Sequence, residues 1–217
     1  MINICFHGIG TPARELEPGE AGYWISEDCY AAVLEEVAAR DDVRLSFDDS
    51  NASDIEIGFD GLLRHGLTAT FFVIAARLDQ PGSLSADEVR ELRARGMTIG
   101  SHGMDHVPWR SLSEAAAQRE LVDARRVLAE TVGAPVDEAA LPLGRYERRT
   151  LARLRRLGYT HVHTSDRQPS DPADWLQHRY SLRSDDTVES LRREILATPA
   201  LTRRLTAGLK SRIKQLR

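Results

Sequence analysis

Residues 43–74 read VRLSFDDSNASDIEIGFDGLLRHGLTATFFVI. Val43–Phe47 is a short run with apolar residues at every second position, Ile55–His65 has apolar residues at helical spacing, and Thr68–Ile74 is again β-branched, aromatic and apolar. A strand, a helix and a second strand in this order predict a β-α-β unit. Outward from it the alternation continues. Further strands are expected at Ile2–Phe6, Met97–Ser101, Val136–Leu141 and Tyr159–Thr164, with helices near Glu27–Ala39, Ala86–Arg95, Glu114–Thr131 and Glu147–Leu157. Ser85 and Glu88 have capping-box spacing, and Gly96, Gly133 and Gly158 stand where helices end. Six strands separated by helices predict an α/β fold with a largely parallel sheet, as a barrel or a doubly wound sheet, in a single domain.

The chain has 217 residues, 41% of them hydrophobic, enough for one sizeable core. A formal net charge of −4 gives no general electrostatic case for nucleic acid as a partner. Two cysteines, Cys5 and Cys29, do not make a disulfide framework. The opening MINICFHGIGTPARELEPGE has neither the basic nor the apolar region of a signal peptide, and no run approaches the length of a transmembrane segment, so a cytoplasmic protein is expected. Domain organisation is expected as a catalytic domain over residues 1–200 and a basic helix or tail over 201–217. The tail holds Arg203, Arg204, Lys210, Arg212, Lys214 and Arg217 with no acidic residue. It is either a solvated terminus or a peripheral contact with a membrane surface or partner.

Two features carry chemistry. Asp48 and Asp49 end a predicted strand, where adjacent carboxylates point to a shared positive charge such as a metal ion; the alternative is a turn in which Asp49 and Asn51 cap the next helix. His102 and His106, four apart after the strand Met97–Ser101, converge on one ion if the intervening residues make a helical turn. Both pairs sit at C-terminal strand ends, where parallel α/β folds build their sites. One carboxylate with two imidazoles would leave coordination positions open. Zinc is the first expectation, and cobalt, nickel, iron or manganese are compatible with the same donors.

The order Ser46-Phe47-Asp48-Asp49, Ala69-Thr70-Phe71-Phe72-Val73, Ile99-Gly100-Ser101-His102 through His106, then Leu141-Pro142-Leu143-Gly144 and Leu157-Gly158-Tyr159, resembles the NodB-type polysaccharide deacetylases. The likeness runs from about Ile2 to Thr164. It implies a distorted (β/α) barrel, a divalent metal on Asp49, His102 and His106, and Asp48 as general base. The implied reaction is removal of an acetyl group from an acetylated carbohydrate: the ion acidifies a water and polarises the carbonyl, Asp48 accepts the proton, and a backbone amide near Leu143 shares the developing charge. Two related readings are an amide hydrolase with a small non-sugar substrate and a non-catalytic barrel that keeps the metal site.

The sequence departs from the family in two places. The third motif carries an arginine two residues before its proline, and Ala140 stands there; Arg145 and Arg179 are the candidates to supply that charge. The closing Leu-x-His motif, whose histidine protonates the leaving amine, is absent after Arg179. His163, at the end of the sixth predicted strand, is the expected replacement, with His161 and His7 as further candidates. Substrate contacts are expected from Leu143, Gly144, Tyr146 and Trp175, with Trp109 also close to the histidine motif.

Overall fold

The structure, a computed structural model, describes residues 1–197, so the basic tail expected over 201–217 lies outside the described residues. Ten strands occur among the described residues: β1 (Ile2–Phe6), β2 (Gly8–Ile9), β3 (Trp24–Ile25), β4 (Val43–Phe47), β5 (Ala69–Val73), β6 (Thr98–Ser101), β7 (Glu138–Ala140), β8 (His161–Thr164), β9 (Leu176–His178) and β10 (Tyr180–Ser181). Eight form one sheet in the order β10-β1-β4-β5-β6-β7-β8-β9, every neighbouring pair parallel. β2 and β3 make a separate parallel pair beside it. Every residue of β1 is buried, as befits a parallel strand covered on both faces.

The sheet's two outer strands, β9 and β10, are consecutive in sequence and separated by Arg179 alone. Leu176–His178 pairs with β8, and Tyr180–Ser181 then pairs with β1. One short segment therefore closes the sheet on itself into a nearly complete barrel, with Arg179 at the seam. No strand was expected there, because its inward residues are polar. Gln177, Arg179 and Ser181 are all buried, so the segment lacks the alternation of apolar residues by which strands are recognised.

Helices α1 (Glu27–Val37), α3 (Ala86–Ala94) and α6 (Arg148–Arg156) lie within the predicted spans. Ser85 and Glu88 form the expected capping box at the start of α3. The helix expected over Ile55–His65 starts as a π-helical turn, Asp54–Phe59, before α2 (Asp60–His65). A second π turn, Arg119–Asp123, joins α4 (Glu114–Gln118) to α5 (Ala124–Val132). A short α7 (Val188–Ser190) follows the last strand and runs directly into a further π-helical stretch, Leu191–Leu196. The larger core joins the inner strands to α1, α3 and α5, and a smaller one gathers Trp109, Leu154 and Tyr159 beneath β7 and β8. Among the described residues no helix is long and apolar enough to cross a membrane.

Gly100 in β6 is a fixed point of this packing. A Cβ there would lie 2.4 Å from Cδ1 of Phe72, and the Phe72 ring is itself buried under the Arg179 guanidinium at 5.0 Å. Gly100→Ala is expected to destabilise the fold by about 1–3 kcal/mol through overpacking, read as a lower midpoint in denaturant unfolding.

Candidate metal centre

Asp48 and Asp49 leave the end of β4 on a backbone that holds them in place. Asp48 N donates to the Phe6 carbonyl (3.0 Å), and Asp49 and Ser50 both have positive φ, 75° and 60°. Such a conformation costs of order 1 kcal/mol or more for non-glycine residues and persists where surrounding contacts enforce it. Here the Ser50 hydroxyl accepts from Ile74 N (2.8 Å) and Arg77 donates to the Asp49 carbonyl (3.3 Å).

His102 and His106 do not lie on a helical turn. Residues 102–106 form a loop with positive φ at Gly103 and His106, clamped by Glu120 from the π turn between α4 and α5. The buried Glu120 carboxylate accepts from Met104 N (3.0 Å), Asp105 N (3.1 Å) and Trp109 Nε1 (3.2 Å). A Cβ at Gly103 would meet Glu120 Oε2 at 2.3 Å, so the clamp requires glycine.

This loop brings His102 Nε2 to 3.4 Å and His106 Nε2 to 3.2 Å from Asp49 Oδ1. Ligand atoms of the three residues all lie within 4.8 Å of one another. The other ring nitrogens decide what these atoms are. His102 Nδ1 faces the Ala140 carbonyl at 3.0 Å, and His106 Nδ1 faces Glu17 Oε2 at 2.8 Å. Both partners are acceptors, so each neutral ring carries its proton on Nδ1 and turns an Nε2 lone pair toward Asp49. Asp49 Oδ1 is buried and has no hydrogen-bond partner among the described residues. Three convergent acceptors with no donor between them fit a divalent cation, and the carboxylate or carbonyl behind each imidazole is the usual outer support of a metal-bound histidine. A second grouping, Cys5, His7 and Asp48, fits one poorly: Asp48 is already paired with a guanidinium, and burial pushes the Cys5 thiol up, keeping it protonated.

That guanidinium belongs to Arg179. Its two terminal nitrogens each lie 2.7 Å from an Asp48 oxygen, and it also donates to Ser46 Oγ (3.1 Å) and the Thr164 carbonyl (3.4 Å). Burial alone would raise the Asp48 pKa, but Arg179 beside it brings it down to about 2. Of the two arginines considered for the charge missing at Ala140, Arg179 from the closing strand reaches the carboxylate, whereas Arg145 stays exposed on the rim.

The two carboxylates and the two histidines open onto a cleft of about 360 Å³. The sequence profile of the polysaccharide deacetylase family matches residues 36–162, more than half of the chain. The chain belongs to the polysaccharide deacetylase family. YxkH of Bacillus subtilis is 24% identical over 146 residues, which is 67% of this chain and 50% of the relative, so this chain spans half the length of that family member. The fold is that of the Streptococcus pyogenes deacetylase PplD, solved in complex with acetate, with a TM-score of 0.79 at 20% identity over 92% of this chain and 98% of the other. A polysaccharide deacetylase from Bacillus cereus gives 0.76 at 18% identity, over 89% and 68%.

The remaining expected residues divide. Leu143 and Gly144 line the cleft, in a turn where both have positive φ. Tyr146, Trp175 and His163 do not line it. Tyr146 is buried with its hydroxyl 2.8 Å from Asp166. Trp175 precedes β9 at the N-terminal rim, where its Nε1 donates to the Tyr159 carbonyl and Arg155 stacks on its ring, so it stands away from the strand ends that carry the site. His163 packs on Phe72 at 4.8 Å with Nε2 3.0 Å from Glu138 Oε2. His7, by contrast, lines the cleft with a buried Nδ1 that has no hydrogen-bond partner among the described residues. Glu17 and Glu120 drew no attention in the sequence, because a lone glutamate in a loop or helix has no local pattern to distinguish it.

Arg179→Met would leave Asp48 buried beside no cation, with an expected loss of about 3–5 kcal/mol in chemical unfolding. In the wild type the folded pKa of about 2 lies below the unfolded value of ~3.9. The pair therefore contributes fully above about pH 4 and progressively less as pH falls toward 2, a decline that the variant is expected to lack.

Proposed function

We propose that this chain is a divalent-metal-dependent deacetylase that hydrolyses the acetyl group of an N-acetylated or O-acetylated carbohydrate. The observation that carries this reading is the trio of facing acceptors, Asp49 Oδ1, His102 Nε2 and His106 Nε2, next to a second carboxylate kept ionised by Arg179. Asp49, His102 and His106 hold the ion. Zinc, or another divalent metal accepted by the same donors, supplies Lewis acidity that acidifies water and polarises the acetyl carbonyl.

The chain's own residues do the rest. Asp48 accepts the proton of the attacking water: each carboxylate oxygen has two acceptor sites, so the two bonds from Arg179 leave capacity on both. Arg179 fixes the orientation of that carboxylate. The Leu143 backbone amide, in the turn on the cleft wall, is assigned to the developing oxyanion. Amide cleavage needs a proton on the leaving nitrogen. We assign its delivery to His7, which faces the cleft, since the His163 Nε2 is engaged by Glu138.

Asp48→Asn keeps the shape of the side chain but cannot take a proton, so metal content is expected to stay while acetate release falls about a hundred- to ten-thousand-fold. His102→Ala and His106→Ala are each expected to lower metal content itself. Elemental analysis beside an acetate assay on N-acetylated oligosaccharides separates the two classes; full metal content in both histidine variants would remove the proposed centre.

A further inference from the structure

The charges lining the cleft are not evenly satisfied. Its carboxylates are engaged: Glu17 with Arg77 and His106, Glu20 with Arg14, Asp48 with Arg179, and Asp49 facing the two imidazoles. The guanidiniums of three arginines on the same cleft, Arg145, Arg167 and Arg183, make no ion pair with a carboxylate within 4.0 Å among the described residues. Asp166, next to Arg167, is engaged by the Tyr146 hydroxyl (2.8 Å) and His178 (3.6 Å), and Asp186, three residues after Arg183, accepts from the Arg183 backbone N (2.9 Å) and the Ser190 hydroxyl (3.0 Å). Residues 198–217 contain no Asp or Glu.

The three arginines follow β7, β8 and β10, strands that sit together in the sector where the barrel closes. They form one arc of the rim, while the proposed metal ligands come from β4 and β6. Arg167 is held in place. It has positive φ (51°), its N donates to the Arg179 carbonyl (3.0 Å), and one guanidinium nitrogen donates to the Ser181 carbonyl (2.8 Å), the other donors having no partner among the described residues. Arg183 lies over the Tyr23 ring at 5.7 Å, on the same cleft. A neutral sugar entering here would strip water from these guanidiniums and return no charge to them, which is unfavourable; a bidentate oxyanion would compensate each one it met.

We propose that the cleft takes an acetylated saccharide bearing an anionic group, a carboxylate or a phosphate, which Arg145, Arg167 and Arg183 pair while the acetyl group sits at Asp48 and Asp49. This rests on the deacetylase reading for the position of the acetyl group, and the binding arm of the test stands without it. Three probes serve: a disaccharide of glucuronate and N-acetylglucosamine, its carboxyl-reduced counterpart, and N-acetylglucosamine 1-phosphate. Equilibrium binding to the metal-loaded wild-type chain, using the Asp48→Asn variant if the probes are consumed, is expected to favour one or both anionic probes over the neutral one by roughly tenfold or more. That preference should shrink with added salt and fall toward unity in Arg167→Gln, with Arg167→Lys retaining part of it. Thermal melting and metal content of each variant control for folding. Preference for the glucuronate probe assigns a carboxylate, and preference for the phosphate probe assigns a phosphate. Equal affinity for all three overturns the proposal. Failure to release acetate from any probe, with the anionic preference intact, overturns the deacetylase reading and leaves the anion site standing.

Discussion

The buried pair of Arg179 and Asp48 joins the fold to the site. Taking a guanidinium and a carboxylate out of water is expensive, and the arrangement is tolerable because almost every group finds a partner: both carboxylate oxygens, the Ser46 hydroxyl and the Thr164 carbonyl receive hydrogen bonds from one side chain. Arg179 is also the residue at which the closing segment passes from β8 to β1. Closing the barrel and presenting the second carboxylate in ionised form are thus one event. A pair of this kind is weak evidence for net stability. Its effect here is geometric, since a bidentate guanidinium allows the carboxylate one orientation.

Every proposed ligand is oriented from behind in the same way. The Ala140 carbonyl sets the tautomer of His102, and Glu17, itself paired with Arg77, sets that of His106. Arg77 also reaches the Asp49 backbone, so one cation spans two of the three ligands. Glu120 shapes the loop between the histidines from a π-helical turn, the kind of irregularity that places a side chain where a regular helix would not. The spacing of four between His102 and His106 is therefore accidental to a helix. A clamped loop with two left-handed residues brings the imidazoles together.

The cleft combines two electrostatic regimes. Around the proposed metal ligands the charges are buried and paired within the protein, whereas after β7, β8 and β10 the guanidiniums line the cleft with no ion pair to a carboxylate among the described residues. Internal pairing serves orientation, and unpaired charge next to a binding surface serves recognition. The asymmetry follows the barrel's seam, since Arg167 and Arg183 stand on either side of the segment that closes it.

The sequence by itself determined the β-α alternation, the six inner strands close to their observed bounds, and the grouping of Asp48, Asp49, His102 and His106 at C-terminal strand ends. These are local properties: hydrophobic period, caps and turn residues act over a few positions. Only the tertiary structure decided the closing strand, because its inward residues are polar and two of them, Gln177 and Arg179, find partners on Asn3, Ser46 and Asp48, more than 130 residues away. It alone assigned Arg179 to the place left by Ala140, withdrew Trp175 and Tyr146 from the cleft, and set His163 against Glu138 while His7 faced the opening. Whether a polar side chain meets a partner, a cavity or solvent depends on residues distant in the chain, and no local pattern encodes that.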